Sequence, residues 1–256
     1  MLPKVIHYCW FGNNPLPDDA KEYIKSWKHY CPDYEIREWN ESNFNLKCCP
    51  YVEDAYNAKK WAFVSDYARF WILYHFGGIY FDTDVEIIKP IDDIIECGSF
   101  MGIEAGYKVL VAPGLGMGAE KGNEIIKAII EYYNLQSFYE QNGSINKTTV
   151  VTRVSEILEK NGYKATGKRE KIGNITIYPA DYFCPMNYHN GKTVITPNTR
   201  TIHHYAETWH NPAEKKIDSI RRKLYDTRLR DGVIERMLVL PFRVWNKIIN
   251  IRESRK

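Results

Sequence analysis

The feature that most constrains this chain is a short apolar run, Ile79-Tyr80-Phe81, set between a glycine pair, Gly77-Gly78, and two aspartates, Asp82 and Asp84. Consecutive apolar residues bounded by glycine and charge read as a strand buried on both faces. Upstream, residues 51–76 carry helical spacing, expected in two pieces, and glycine at 77 can take the left-handed conformation that closes a helix. The chain therefore passes from a helix into a buried strand and leaves it on two carboxylates. That puts the carboxylates at the carboxyl edge of a sheet, where α/β proteins bind ligands.

The rest of the sequence fits the same class. Residues 4–10 read as a strand and residues 34–39 as another. Between them, residues 18–30 place Ala20, Tyr23, Ile24 and Trp27 on one helical face. One strand–helix–strand pass of this kind favours a parallel sheet covered by helices. Strand character resumes at 85–88, and residues 98–119 look like short strands broken by Gly and Pro. Helices are expected at 123–133 and 149–161, and strands at 175–178 and 199–204. Two helical stretches, 213–229 and 233–251, close the chain, with Pro241 expected to break the second. Fold expectation: an α/β body over residues 1–212 and a basic helical tail over residues 213–256.

Composition narrows the function classes. A net charge of +3 over 256 residues gives no reason to expect nucleic acid. The charge is uneven, however: residues 214–256 hold 13 Lys/Arg against six Asp/Glu. A basic tail suits an acidic partner, and its basic residues alternate with Leu, Ile, Phe and Trp, as in helices that lie on anionic membrane surfaces. A helix packed on the body with a solvated basic face is the other reading. Six cysteines without a CxxC pair suggest reduced thiols, and no apolar run nears the ~20 residues of a membrane span. With a strand rather than a signal peptide at the start, the expected location is cytoplasmic, with peripheral contact at the inner membrane as an extension. Most of the 19 Tyr, 7 Trp and 10 Phe are expected in the core.

Two aspartates at i and i+2 share a side where a strand ends, and like charges held that close call for a cation between them. Mn²⁺ or Mg²⁺ suits such oxygen ligands and completes its shell with substrate phosphates. On the preceding helix, Asp66 and Arg69 share a face with Ser65. They read either as a structural ion pair or, beside a metal–diphosphate site, as contacts to sugar hydroxyls and phosphate. His7 and Trp10 could equally be strand-end core residues. Adjacent His203 and His204 point oppositely along a strand, so at most one can face a metal. Glu104 and Glu120 are candidates for the acceptor side or for plain surface.

The segment Ser65-Asp66-Tyr67-Ala68-Arg69-Phe70, then Tyr74, Gly77-Gly78-Ile79-Tyr80 and Asp82-Thr83-Asp84, resembles the sugar-binding region with D-x-D of glycosyltransferase family 32, of the capsular polysaccharide synthesis type. More distantly it is similar to the glucosylating domains of large clostridial toxins. The opening Pro3-Lys4-Val5-Ile6-His7-Tyr8-Cys9-Trp10-Phe11-Gly12 and the late Thr196-Pro197-Asn198-Thr199, Ile202-His203-His204-Tyr205 and Thr208-Trp209 carry the resemblance over residues 3–210. The resemblance implies a GT-A fold, a Rossmann-like mixed sheet flanked by helices, and retaining transfer of a hexose or N-acetylhexosamine. The implied donor is a nucleotide-diphospho-sugar, UDP-sugar by family tendency. The implied acceptor is a glycan or lipid-linked glycan in bacterial surface polysaccharide synthesis.

Carried over by residue, Trp10 would stack on the base, Asp66 would bind donor hydroxyls and Arg69 would contact sugar or phosphate. Asp82 would contact ribose or sugar and the metal shell, and Asp84 would ligate the metal. His203, with His204 as alternate, would approach the metal, and Thr208 and Trp209 would close over the diphosphate. His7, Ser65, Tyr80 and Thr83 complete the implied donor set. Thr208 replaces the Ser more usual before that Trp and keeps the hydroxyl. A toxin-like protein glycosyltransferase and a non-catalytic carbohydrate- or membrane-binding protein are the competing readings.

Overall fold

The computed structural model describes residues 2–106, 108–206, 211–224 and 233–253, with side chains in the last stretch for 235–249. In chain order the elements are β1 (Val5–Cys9), α1 (Asp18–Tyr30), β2 (Glu35–Trp39), α2 (Pro50–Asn57), α3 (Trp61–Phe76), β3 (Gly78–Tyr80), β4 (Val85–Ile87), α4 (Asp92–Glu96) and β5 (Ser99–Gly102). Then follow β6 (Met117–Ala119), α5 (Glu124–Asn134), α6 (Val150–Lys160), β7 (Glu170–Ile172), β8 (Ile175–Tyr178), α7 (Ala180–Phe183), β9 (Thr201–His203), α8 (Pro212–Leu224) and α9 (Val233–Glu253).

Seven strands form one sheet in the order β2-β1-β3-β6-β5-β8-β7. β1 runs parallel to β2 and β3, and β5 runs parallel to β8. β6 is antiparallel to both β3 and β5, and β7 is antiparallel to β8. β1, β2, β3, β5 and β8 therefore point the same way, and their carboxyl ends share one edge. The sheet is the mixed, mostly parallel one expected of the GT-A class.

Both faces of the sheet are covered, which explains the unbroken apolar strands. On one face Cys9, Tyr80, Met101, Met117 and Ile175 pack in one core with Val52 of α2, Phe70 of α3, Ile129 of α5 and Leu158 of α6. On the other, Tyr8 and Phe81 lie 5.8 and 5.6 Å, ring to ring, from Trp27 of α1, and Phe100 stacks on Phe183 of α7. Period-two alternation settles which side each residue of the central strand takes. Ile79 and Phe81 turn toward α1, while Tyr80, and Asp82 after it, turn toward α3.

α3 ends at Gly77 (φ 67°), and Gly78 follows at φ 102°. A Cβ on Gly78 would stand 2.7 Å from the Val5 carbonyl oxygen, so β1 and β3 approach each other only because position 78 has no side chain. The fully buried His7 ties this corner together. Its Nδ1 accepts from Trp39 Nε1 at 3.1 Å and its Nε2 donates to the Gly77 carbonyl at 3.0 Å. Burial pushes its pKa down to about 4. Both ring nitrogens of His7 are thus engaged inside the core.

β4 and β9 form a separate two-stranded antiparallel sheet, with Val85 opposite His203 and Ile87 opposite Thr201. α1 fastens β4: Trp27 Nε1 donates to the Val85 carbonyl at 2.7 Å, and the Ile87 amide donates to Ser26 Oγ at 2.9 Å. β9 is held by Thr201 Oγ1 on the Phe183 carbonyl and, one residue earlier, by a two-pronged Arg200–Asp93 pair at 2.6 and 3.2 Å.

The chain divides into two compact units, residues 1–185 with 194–204, and residues 186–193 with 205–256. The second unit contains α8, α9 and a short hairpin in which Tyr188 packs on Tyr205 and receives the Arg222 guanidinium at 4.9 Å. α9 runs through Pro241 rather than breaking there. The one hydrogen bond that proline removes would have ended on the Met237 carbonyl, on the exposed side of the helix, where the carbonyl is open to solvent.

Candidate active site

Asp82 and Asp84 leave β3 through a turn closed by the Val85 amide on the Asp82 carbonyl at 3.1 Å. The turn delivers Asp84 to the small sheet, where β9 presents His203. Its Nε2 lies 3.1 Å from Asp84 Oδ1, and ligand atoms of Asp82, Asp84 and His203 all fall within 4.8 Å of one another. About 3 Å is the separation of neighbouring ligands on an octahedral ion with ~2.1 Å bonds. Two carboxylates and an imidazole suit a borderline-hard divalent cation. Burial opposes a charge on His203, but Asp84, helped by Asp82 and Glu104, outweighs it and holds the imidazole pKa above its ordinary value.

His204 faces the other way, as alternation requires. Its ring stacks on Tyr23 at 4.5 Å and its Nε2 meets Glu86 Oε2 at 2.8 Å. Of the adjacent histidines, His203 is the one gathered with the aspartates.

Asp82 is fixed by α3. Arg69, with a side chain only 4 % exposed, reaches Asp66 at 2.9 Å and Asp82 at 3.2 Å. Its Nε donates to the Ser65 carbonyl at 3.0 Å, while the Ser65 hydroxyl donates back to the Trp61 carbonyl. The Arg69 guanidinium also lies 4.9 Å from the Tyr80 ring, and the Tyr80 hydroxyl donates to Asp82 Oδ1 at 3.0 Å. Tyr80 is 1 % exposed, so it supports Asp82 from beneath. Burial lifts the Asp66 carboxyl to about 6 against the pull of Arg69. Burial opposes the charge of Arg69 too, and Asp82, Tyr80 and Asp66 overcome it, raising its pKa.

A residue absent from the sequence reading completes the pocket around Asp82. The Asp82 amide donates to the Gly114 carbonyl at 3.0 Å. A Cβ on Gly114 would run into the Asp82 carboxylate and come within 3.1 Å of Arg69 Nη1. Only glycine lets this buried loop pass so close. The sequence signal is the glycine- and proline-rich stretch Pro113-Gly114-Leu115-Gly116, whose partner no local pattern reveals.

Trp10 stands one residue past β1, at the same sheet edge. It is half-buried, with its indole N–H on the Asn14 carbonyl at 2.6 Å. Thr83 is half-buried in the turn. Glu104 follows β5 at this edge, and its charge reaches His203. Glu120 follows β6, which runs the other way, so it lies beside the amino end of β3 and away from the aspartates. Thr208 and Trp209 lie outside the described residues.

Residues 17–100, about a third of the chain, match the family model described as the glycosyltransferase sugar-binding region containing DXD motif. An uncharacterized glycosyltransferase, L373, of Acanthamoeba polyphaga mimivirus is 24 % identical over 217 residues, covering 81 % of this chain and 82 % of that protein. Inositol phosphoceramide mannosyltransferase 1 of Schizosaccharomyces pombe is 28 % identical over 111 residues, 39 % of this chain; the chain spans 33 % of that protein's length. Among solved structures, the PaToxG glycosyltransferase superposes with a TM-score of 0.47 at 19 % identity, covering 62 % of this chain and 69 % of that one. The matched region contains Asp66, Arg69, Asp82 and Asp84 on the helix–strand passage that gathers them. The chain is a glycosyltransferase that resembles, over residues 17–100, the sugar-binding region containing DXD motif, and its own D-x-D stands at the carboxyl edge of a mixed α/β sheet.

Proposed function

We propose that this glycosyltransferase moves a hexose or N-acetylhexosamine from a nucleotide-diphospho-sugar to a glycan or lipid-linked acceptor, with retention of anomeric configuration. The observation that carries the reading is the convergence of Asp82, Asp84 and His203 beside a buried Arg69. A divalent ion, Mn²⁺ or Mg²⁺, would be held by these three ligands; its chemistry there is to neutralise the charge that gathers on the departing diphosphate.

The protein's own groups supply the rest. Arg69, fixed by Asp66, Asp82 and the Ser65 carbonyl, offers a pre-aimed cation to sugar or phosphate oxygens without reorganising. Asp66 accepts from donor hydroxyls. Trp10 offers a half-buried ring to the base from the neighbouring strand, and Thr83, in the turn between the two aspartates, adds a hydroxyl for the donor. Thr208 and Trp209 are proposed to cover the diphosphate. In the transfer step the bond from the anomeric carbon to the diphosphate breaks and the acceptor oxygen bonds to that carbon on the same face. The acceptor's proton passes to the leaving phosphate oxygen, so no protein nucleophile is required.

UDP-sugar remains the favoured donor, and the mannosyltransferase names among the relatives add mannose to the hexoses worth testing. A lipid-linked acceptor in bacterial surface polysaccharide synthesis, approached at the inner membrane, is supported by the character of the tail. The test is a donor screen with purified protein and Mn²⁺. One nucleotide-sugar is expected to be hydrolysed, and Asp84→Ala should lower its turnover at least a hundredfold. Turnover that survives both chelation and Asp84→Ala would remove the metal–diphosphate reading.

A further inference from the structure

α9 buries one side and leaves a second, apolar face bare. Glu235 and Val239 are buried and Phe242, Asn246 and Ile249 half-buried, at spacings of four, three, four and three residues that mark one side of the helix. Glu235 accepts from Arg221 at 3.1 Å, and Asn246 bonds to Asn211 at 2.7 Å and to Glu214 at 3.3 Å. The seam between the two helices thus joins these polar links to apolar residues, the buried Ala213 and Ile217 of α8 and Val239 of α9. The opposite face is apolar and bare. Met237, Leu240, Val244 and Ile248 recur at three, four and four residues and are 67, 58, 52 and 45 % exposed, with Leu238 and Trp245 beside them. A soluble helix normally buries such a stripe.

Along one border of that face runs a basic row, Arg236, Arg243 and Lys247, spaced seven and four residues apart and all exposed. The lone acid among the described side chains of α9, Glu235, is on the buried side. No described helix is long and apolar enough to cross a membrane.

We propose that α9 lies in the plane of an anionic lipid surface, with its Met237–Ile248 face in the acyl boundary and its basic row at the headgroups. An apolar stripe bordered by cations, with no exposed acid among the described side chains of α9, is complementary to a bilayer carrying negative headgroups. A second copy of the same helix would offer apolar surface but only like charge. The inference turns the proposed approach of a lipid-linked acceptor into a named surface, yet it stands on α9 alone and does not depend on the metal cluster.

The test is flotation of the full chain with vesicles of phosphatidylcholine, and of phosphatidylcholine with one-third phosphatidylglycerol, at low and high salt. The protein is expected to float with the anionic vesicles, less so at high salt, and not with the neutral ones. The double variant Leu240→Asp/Val244→Asp should lose at least tenfold in partitioning. The triple variant Arg236→Gln/Arg243→Gln/Lys247→Gln should lose about a hundredfold, from roughly fivefold per charge. Both variants should hydrolyse donor as the parent does, which reports that the body is folded. No flotation of the parent, or undiminished flotation of the double variant, would overturn the inference. So would a dimer by light scattering that the double variant dissolves while flotation is unchanged. Flotation without donor hydrolysis would leave this surface standing and remove the transferase reading, so the two failures separate.

Discussion

At the scale of single residues, the site is a set of carboxylates kept apart or together by what lies behind them. Asp82 is held by Arg69 and Tyr80, whereas Asp84 has His203 across a 3.1 Å gap. Replacing His203 with Ala should therefore weaken Mn²⁺-supported turnover at least tenfold. His204→Ala should leave it within a fewfold, because His204 is spent on Tyr23 and Glu86. Equal losses from the two changes would place the pair's role elsewhere. Gly114→Ala makes a sharper test of local space. The added methyl meets the Asp82 carboxylate, so turnover should fall at least tenfold while far-ultraviolet circular dichroism is unchanged; full activity would mean that Asp82 tolerates displacement. The D-x-D and the Asp66–Arg69 pair were legible because each is written within a few residues of one element. Gly114 was not, since its partner lies 32 positions away across a loop.

Among elements, the corner of β1, β2 and α3 is closed by one neutral imidazole. His7 sits near pKa 4 in the fold against an ordinary value of 6.5, because burial disfavours its charged form. Below pH 6.5 the unfolded chain takes up a proton that the folded chain refuses. Stability should thus fall as pH drops from 6.5 to 4, by up to about 3 kcal/mol for a full shift of that size. Urea titrations across this range should show the slope, and His7→Gln, which keeps one donor and one acceptor without titrating, should flatten it. An unchanged slope in that variant would assign the acid sensitivity to other groups. Strands β1, β2, β3 and β8 and helices α1, α3, α5 and α6 were readable from apolar spacing. The separation of β4 and β9 into their own sheet was not, because pairing Val85 with His203 is a register across 118 residues. Pro241 misled for a physical reason: its rigid ring forecasts a break, but it stands on the open side of α9, where the freed carbonyl faces solvent.

For the whole molecule, strand direction decides what reaches the site. The carboxyl edge of β1, β3 and β5 collects Trp10, Asp82, Asp84 and Glu104, and the reversed β6 carries Glu120 to the far side. Sequence could forecast a mixed α/β sheet but not which glutamate lands at the productive edge, since that depends on the order β3-β6-β5. The uneven charge of the chain likewise foretold a basic tail, while the bare apolar face of α9 emerged only once its buried side was known. The measurement that bears most directly on the catalytic assembly is calorimetric titration of Mn²⁺ and UDP into the protein and its Asp84→Ala variant. Mn²⁺ should bind the parent, bind more tightly once UDP is present, and bind the variant at least tenfold more weakly in both states. UDP that binds as tightly in chelator as with Mn²⁺, and as tightly to the variant as to the parent, would contradict a diphosphate site built on that carboxylate.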